Sequence, residues 1–482
     1  MLRKFLFLSF IEGAAVMAAE LCGAKLLSPV FGSSLYVWAS VLGITLAALA
    51  LGYFYGGAIS ADSKDSSKKL FNILIVAALF LLIMPVISRY LVPRISYISF
   101  LPAVILSTFA LLFFPIFFLG ATSPLFILLQ TTHTNSSGKV SGTVYAVSTA
   151  GGILATFLCG FWLIPSIGLN YTLLIFGALL FTVTLFVFKV LKKGQLLLFI
   201  AFVYLNLQFE LKREKTLLTS DGVLGRLEVK DVVSNGQSVR LLKINEIIQT
   251  EMDLKTHLSV SGYVTLLDSL IDRAASPKEA LVLGLGGGLT ANLLLQKNYK
   301  VTGVEFDERI IEASLKHFYL AKKVETVCSD ARYYLNTCNK KFDLVLVDIF
   351  KAEEQPSHVI TMESLERLKT NLNKEAVIYI NWHGYTNNEL GKGTSVLYNT
   401  LVRSGFEVIL TSLSKEQDHR NIIFAASLNK DNLSAIHSGY VLNEPLPATS
   451  LVNTDDLPVL EKYNALANKA WRNNYLRYYQ NN

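Results

Sequence analysis

The stretch LVLGLGGGLTANLLLQKNYKVTGVEFDE, residues 281–308, decides the fold of the C-terminal half. It reads as an apolar run, a glycine turn, a helix-length segment and a second apolar run closing on an acid. Gly284, Gly286, Gly287 and Gly288 allow a tight turn and close approach to a ligand, with no Cβ in the way. Glu305 ends the second run, where a carboxylate can accept hydrogen bonds from ribose hydroxyls. A glycine turn with one acid fits a dinucleotide as well as other nucleosides.

The same rhythm extends in both directions. EALVLGL, KVTGVEF, VETVCSD, FDLVLVDIF and EAVIYIN are apolar runs separated by helix-length segments, the pattern of a mostly parallel, doubly wound sheet. FEVILTS and NIIFAAS fit its closing strands. In such a sheet the ligand lies at the carboxyl ends of the strands. Asp330, after the third run, is a second acid that can hold an adenine amino group. Two acids, with no Arg or helix-start Lys for phosphates, suit an adenosyl sulfonium better than a dinucleotide. Asp348 ends the fourth run and so faces the same crevice. A carboxylate there can attract a cationic reactant and take a proton from an amine. The plain alternative is that all three are structural or solvated strand-end acids. Upstream, short β-like runs over residues 217–251, broken by SDG, GR and SNGQ, predict a small antiparallel sheet with hairpin turns.

The N-terminal half is of another kind. The chain has 482 residues and is 52% hydrophobic, too apolar for one ordinary soluble domain. From Phe5 to about Leu211 charges are sparse, and from Lys212 they return at ordinary frequency. Six runs, roughly 5–27, 35–58, 70–92, 103–129, 142–165 and 168–190, are long enough to cross a bilayer, and a weaker seventh begins at Gln195. The expected organisation is a multi-pass α-helical membrane domain over 1–211, a small β-hairpin domain over 212–260, and a Rossmann-like α/β domain of S-adenosylmethionine type over 261–482. The first run, interrupted by Glu12, Glu20 and Lys25, is too long and polar for a cleaved signal peptide.

Arg3, Lys4, Lys64, Lys68, Lys69, Lys189, Lys192 and Lys193 all fall on one side of the six runs, which places that side and the soluble half in the cytoplasm. The segment 195–211 is then expected to lie at the interface or to be partly re-entrant. Ions inside a membrane are costly and hint at function. Glu12 reads as lying near a helix end within reach of water, and Glu20 and Lys25 as a pair or as a site for a polar substrate. Membrane lipids are the expected surroundings.

The formal charge of +7 comes from scattered basic residues without a basic-aromatic stripe, so no nucleic-acid partner is expected. Cys22, Cys159, Cys328 and Cys338 lack metal-ligand spacing; no metal is expected, and they read as buried small hydrophobes in a reducing setting.

From GVLGRLEV through RLLKINEIIQTEMD, GLGGG, GVEFDE, CSDARYYL, FDLVLVDIF and PSHVITMESL to NTDDLPVLE, the soluble half resembles spermidine synthase and its aminopropyltransferase relatives. The membrane half is similar to the transporter-like region fused to such domains in bacterial membrane-bound homologues. It carries the likeness in AAELCGAKLLSPVFGSSLYVWASVLGITLAALALGYFYGG, GATSPLF and VYAVSTAGGILATFLCGFWLIPSIGL. The resemblance implies a bacterial inner-membrane protein, a co-substrate of the S-adenosylmethionine or decarboxylated S-adenosylmethionine type, and a homodimer through the soluble domain. It places Gln249 against the nucleoside, Glu305 on the ribose, Asp330 and Ala331 at adenine, and Asp348 on the catalytic aspartate. Tyr263 falls on the active-site tyrosine if a short insertion precedes it.

Four departures bear on the substrate. Leu289 stands where the family's glycine turn has an aspartate that contacts the donor's aminopropyl end, and Lys351 replaces a second, diamine-holding aspartate. Val264 and Thr265 replace the His and Glu that usually follow the tyrosine. Fewer carboxylates and one more cation weaken a di-cationic acceptor such as putrescine. Lys351 could instead meet the carboxylate of intact S-adenosylmethionine or a lipid phosphate.

Three functions follow. The first is a membrane-embedded transferase that moves an aminopropyl or related group to an amine or lipid-like acceptor and releases methylthioadenosine, with Asp348 as base and Tyr263 as its helper. The second is a transporter or sensor whose soluble domain binds a nucleoside without turnover, with Glu20 and Lys25 as transport residues. The third is methyl transfer from S-adenosylmethionine, or its self-cleavage.

Overall fold

A computed structural model describes residues 2–480 except 32–34, 62–64, 96, 97, 99, 132–136, 191, 192, 212–215, 223, 235, 351–354, 418 and 419. The chain divides into two compact units, Met1–Lys215 with Ser220–Arg226, and Thr216–Thr219 with Leu227–Asn482.

The first unit is helical. Its elements are α1 (Leu2–Phe31), α2 (Leu35–Ser60), α3 (Ser66–Tyr90), α4 (Leu101–Gln130), α5 (Ser137–Phe188) and α6 (Lys193–Leu211). The first five are long and apolar enough to cross a membrane. The expected fifth and sixth runs are joined without a loop in α5, which is broken at Gly168, whose φ of 83° only glycine adopts readily.

The unit buries a hydrophobic core around Leu8, Leu27, Leu74 and Phe126, and also exposes large apolar side chains. Phe54, Phe161, Trp162 and Phe186 are exposed, whereas Ser9, Glu12, Thr122 and Gln130 are buried. One reading of α1 is therefore corrected. Glu12 does not reach water from a helix end; it is 3% exposed, inside the bundle. Glu20 and Lys25 are both half-buried. The seventh segment packs along α3, where the Asn206 amide donates to the Leu82 carbonyl at 2.9 Å.

The small sheet comes next in the chain, β1 (Leu218–Gly222), β2 (Gly225–Ser234), β3 (Gln237–Ile244) and β4 (Ile247–Asp253) in sequential order, all but the Ser220–Arg226 segment belonging to the second unit. Next come α7 (Gly262–Leu270), β5 (Lys278–Leu283), α8 (Leu289–Gln296), β6 (Tyr299–Glu305), β7 (Glu325–Cys328), α9 (Ala331–Thr337) and β8 (Phe342–Val347). The last strands are β9 (Leu372–His383), β10 (Glu407–Thr411) and β11 (Asn421–Ser427). The large sheet runs β10-β11-β9-β8-β5-β6-β7. The five strands β5 to β9 are parallel, and β11 is antiparallel to both β9 and β10.

Alternation along the central strands builds two cores, because successive side chains point to opposite faces. Leu281, Leu283, Val345 and Val347 pack with Trp382 and Phe424. Ala280, Val282, Leu344 and Leu346 pack with Leu294 and Val301. Both faces are therefore covered, as a doubly wound sheet requires. The order reverses between β5 and β8, and the carboxyl ends of these two strands carry the glycine turn and Asp348.

Candidate active site

Gly284 leaves β5 with φ 87°, and a Cβ placed there would lie 2.2 Å from the Asp348 carbonyl oxygen. Only glycine lets the turn pass that close to the end of β8, whose Asp348 N–H donates to the Leu283 carbonyl at 2.8 Å. The Gly287 N–H donates to the Thr250 hydroxyl at 2.8 Å, which ties the turn to β4 next to half-buried Gln249. Gly286 and Gly288 also have positive φ, and α8 starts directly behind them at Leu289.

Glu305 is buried at the end of β6. One of its oxygens accepts the Leu285 N–H at 3.0 Å and the other the Asp307 N–H at 3.1 Å. Burial pushes its carboxyl up from the ordinary range, and these two bonds only partly oppose the rise. Asp330 caps α9, accepting the Tyr333 N–H at 3.0 Å, and lies 3.1 Å from His358 Nε2. Partial burial works against its ionisation, yet the Tyr333 N–H and the His358 ring outweigh it and leave the carboxyl below its usual range. Ala331 is buried in the first turn of α9.

Asp348, half-buried, has both oxygens occupied by neutral donors. The Tyr263 hydroxyl donates to Oδ2 at 3.0 Å and the Asn381 amide to Oδ1 at 2.8 Å. Asn421 in turn donates to Asn381 Oδ1 at 2.9 Å, which fixes the amide the right way round. Burial raises the Asp348 carboxyl above the ordinary range, against the lowering effect of the Asn381 and Tyr263 bonds. The Tyr263 hydroxyl is raised well above its ordinary value, by burial first and then by the Asp348 charge.

The structure therefore brings Asp348 and Tyr263 together beside the glycine turn, and places Glu305 and Asp330 at the ends of adjacent strands. Tyr263 reaches Asp348 from the first turn of α7. Lys351 lies outside the described residues. Leu289, Val264 and Thr265, three of the four positions that depart from the resemblance, all line one cavity of about 480 Å³, with Leu258 and Leu293 among their neighbours. The described residues contain no cluster of three or more His, Cys, Asp or Glu able to hold a metal.

Sequence reading missed Thr250, His358, Asn381 and Asn421. Asn381 was within reach of the rule that found Asp348, since both stand at the ends of neighbouring parallel strands. His358 and Thr250 come from segments whose approach to the site depends on tertiary packing. One cysteine also departs from expectation: Cys328, at the open end of β7, is exposed, whereas the other three are buried.

The comparisons follow this geometry. Residues 263–387 match the spermine/spermidine synthase domain. The chain is 23% identical over 416 residues to polyamine aminopropyltransferase 2 of Aquifex aeolicus, covering 82% of each. It is 29% identical over 166 residues to a polyamine aminopropyltransferase of Thermoplasma volcanium, covering 33% of this chain and 58% of that one. It spans less than two thirds of the length of the first curated relatives it matches. Among solved structures, it is similar to spermidine synthase from Thermotoga maritima, with 16% identity and a TM-score of 0.36, over 52% of this chain and 88% of that one. The matched domain begins at Tyr263 and includes the glycine turn, Glu305, Asp330, Asp348 and Asn381.

Proposed function

We propose that this chain is a membrane-embedded transferase that moves an aminopropyl or related alkyl group from an adenosyl sulfonium to an amine. The observation that carries the reading is Asp348, held by Tyr263 and Asn381 beside the glycine turn. Glu305, Asp330, Ala331 and Gln249 would hold the ribose and adenine of decarboxylated or intact S-adenosylmethionine. The amine nitrogen attacks the methylene beside the sulfonium in line, the carbon–sulfur bond breaks, and neutral methylthioadenosine leaves with the electron pair. Asp348 takes the proton shed by the new ammonium. Its raised carboxyl makes it a better base for that proton than an unperturbed aspartate.

The cavity that Leu289, Val264 and Thr265 share is mixed in character, with Asp268, His257 and Asn292 beside Leu258 and Leu293. The long apolar helices of the first unit and their exposed Phe54, Phe161, Trp162 and Phe186 support its embedding in a membrane. The loop charges favour a bacterial inner membrane with the soluble unit in the cytoplasm.

Purified protein incubated with labelled donor and polyamines or extracted lipids is expected to release methylthioadenosine. Asp348→Asn should bind donor normally and lose turnover by roughly 100-fold or more. Donor binding without any turnover would replace the enzyme by a sensor or transporter. S-adenosylhomocysteine or a lactone as product would mean methyl transfer or self-cleavage instead.

A further inference from the structure

Asp330 has its two oxygens held from two different elements. Oδ1 accepts the Tyr333 N–H of its own helix at 3.0 Å, and Oδ2 faces His358 Nε2 at 3.1 Å. His358 belongs to a 3-10 turn, Ser357–Val359, which lies outside α9 and reaches Asp330 only through the fold. The ring donates to the carboxylate in its Nε2–H tautomer and as imidazolium alike, so the contact needs no titration.

The turn is pinned by its carbonyls. Asn453, fully buried, donates its amide to the Ser357 carbonyl at 2.9 Å and to the Ile360 carbonyl at 2.7 Å. Arg332, two residues after Asp330, donates to the His358 carbonyl at 2.9 Å and to the Thr361 hydroxyl at 2.7 Å. Its Nη2 reaches Asp455 at 2.7 Å, so the guanidinium is itself anchored. The helix that presents Asp330 therefore also holds the backbone that presents His358.

Such support is out of proportion to the stability the pair can add. The His358 and Asp330 side chains are 56% and 37% exposed, and an exposed ion pair contributes little. What the arrangement fixes is direction. A carboxylate bound through one oxygen can turn about its Cβ–Cγ bond. Bound through both, from two elements, it offers the remaining lone pair on each oxygen in a set direction. Asp330 stays ionised, since its carboxyl lies below the usual range, and so it can only accept.

We propose that His358 is a positioning residue that aims the Asp330 carboxylate at the 6-amino group of a purine, and so makes the soluble unit selective for a base that carries this group. The inference rests on the adenosyl-donor reading of the site and adds to it the residue that sets the choice of base.

The test is calorimetry on the full chain in lipid nanodiscs, comparing methylthioadenosine with its 6-deamino counterpart, in which a C–H replaces the amino group. Wild type is expected to prefer methylthioadenosine roughly tenfold, the effect of one hydrogen bond to a charged group. His358→Ala should weaken methylthioadenosine about fivefold and leave the deamino ligand unchanged, which narrows the preference to about twofold. His358→Gln, whose amide nitrogen reaches about as far as Nε2, should restore most of the loss. In an Asp330→Ala background, removing His358 should cost nothing more, because it acts through that carboxylate. A residue that only held the turn would weaken both ligands alike. Equal loss for both ligands, no loss in His358→Ala, Gln no better than Ala, or a further loss in the Asp330→Ala background would each overturn the proposal. Where wild type binds methylthioadenosine, any of these removes the proposal alone; wild type binding neither ligand would remove the adenosyl-donor reading and the proposal with it.

Discussion

Asp348 meets only neutral donors among the described residues, so its charge is oriented by Tyr263 and Asn381 without being cancelled. Asn381 thus acts as a positioning residue, and Asn421 keeps its amide turned so that nitrogen, not oxygen, faces the carboxylate. A hydrogen bond to the charged form lowers a carboxyl's pKa, so removing Asn381 raises that of Asp348 further. A base works only above its pKa. Asn381→Ala should therefore move the acid limb of the pH profile of kcat/KM to higher pH by about one unit, the equivalent of one lost hydrogen bond to a charged group. An acid limb at the wild-type position would show that Asn381 only packs. Asp348 was legible in the sequence because an acid closing an apolar run is visible without a fold. The amide relay was not, since Asn381 and Asn421 lie on strands forty residues apart that come together only when β11 reverses direction beside β9.

At the scale of elements, the glycine turn was the most legible feature, and its geometry explains why. Its sequence pattern exists because β5 and β8 are neighbours and their ends must pass at near contact. Gly284→Ala puts a methyl against the Asp348 carbonyl and forces a positive φ on an L residue. The expected cost is about 1–3 kcal/mol of stability. Because the strain falls on Asp348 itself, donor affinity and turnover should fall as well. Thermal unfolding read alongside donor calorimetry checks this, and a variant with wild-type values in both would mean that the turn is not seated as described. Helix count was less legible than strands. Residues 165–168 look like a loop because proline and glycine stand there, but proline suits the start of a helical turn, so the stretch continues to Gly168 before breaking. Burial within the bundle was not legible at all: composition puts Glu12 in an apolar run, but only packing against Ser148 shows that it faces inward.

For the whole molecule, the proposed embedding of the apolar helices in a membrane puts the soluble unit on one side of it, and the two sides make different demands. The donor is made where S-adenosylmethionine metabolism runs, which argues for the cytoplasm, and the lysines and arginines flanking the apolar runs argue the same. The seventh segment weighs against this, since its apolar helix packs along α3 and would carry the chain across if it spanned fully. Its helix, Lys193–Leu211, is 19 residues long, close to the roughly twenty that a straight crossing needs, but the sequence of its last turns carries Asn206, Gln208 and Glu210. The protein carries its own reporter of the answer. Cys328 is exposed on the soluble unit, while Cys22, Cys159 and Cys338 are buried. A membrane-impermeant maleimide should leave the chain unlabelled in intact cells and label it once the cells are lysed, and Cys328→Ser should abolish that label. Burial raises the Cys328 thiol above its ordinary value, so the thiolate fraction is small and labelling needs mildly alkaline buffer in both samples. Labelling of intact cells would make the seventh segment a full span and put the site outside, where the donor would have to be exported or be something other than an adenosyl sulfonium.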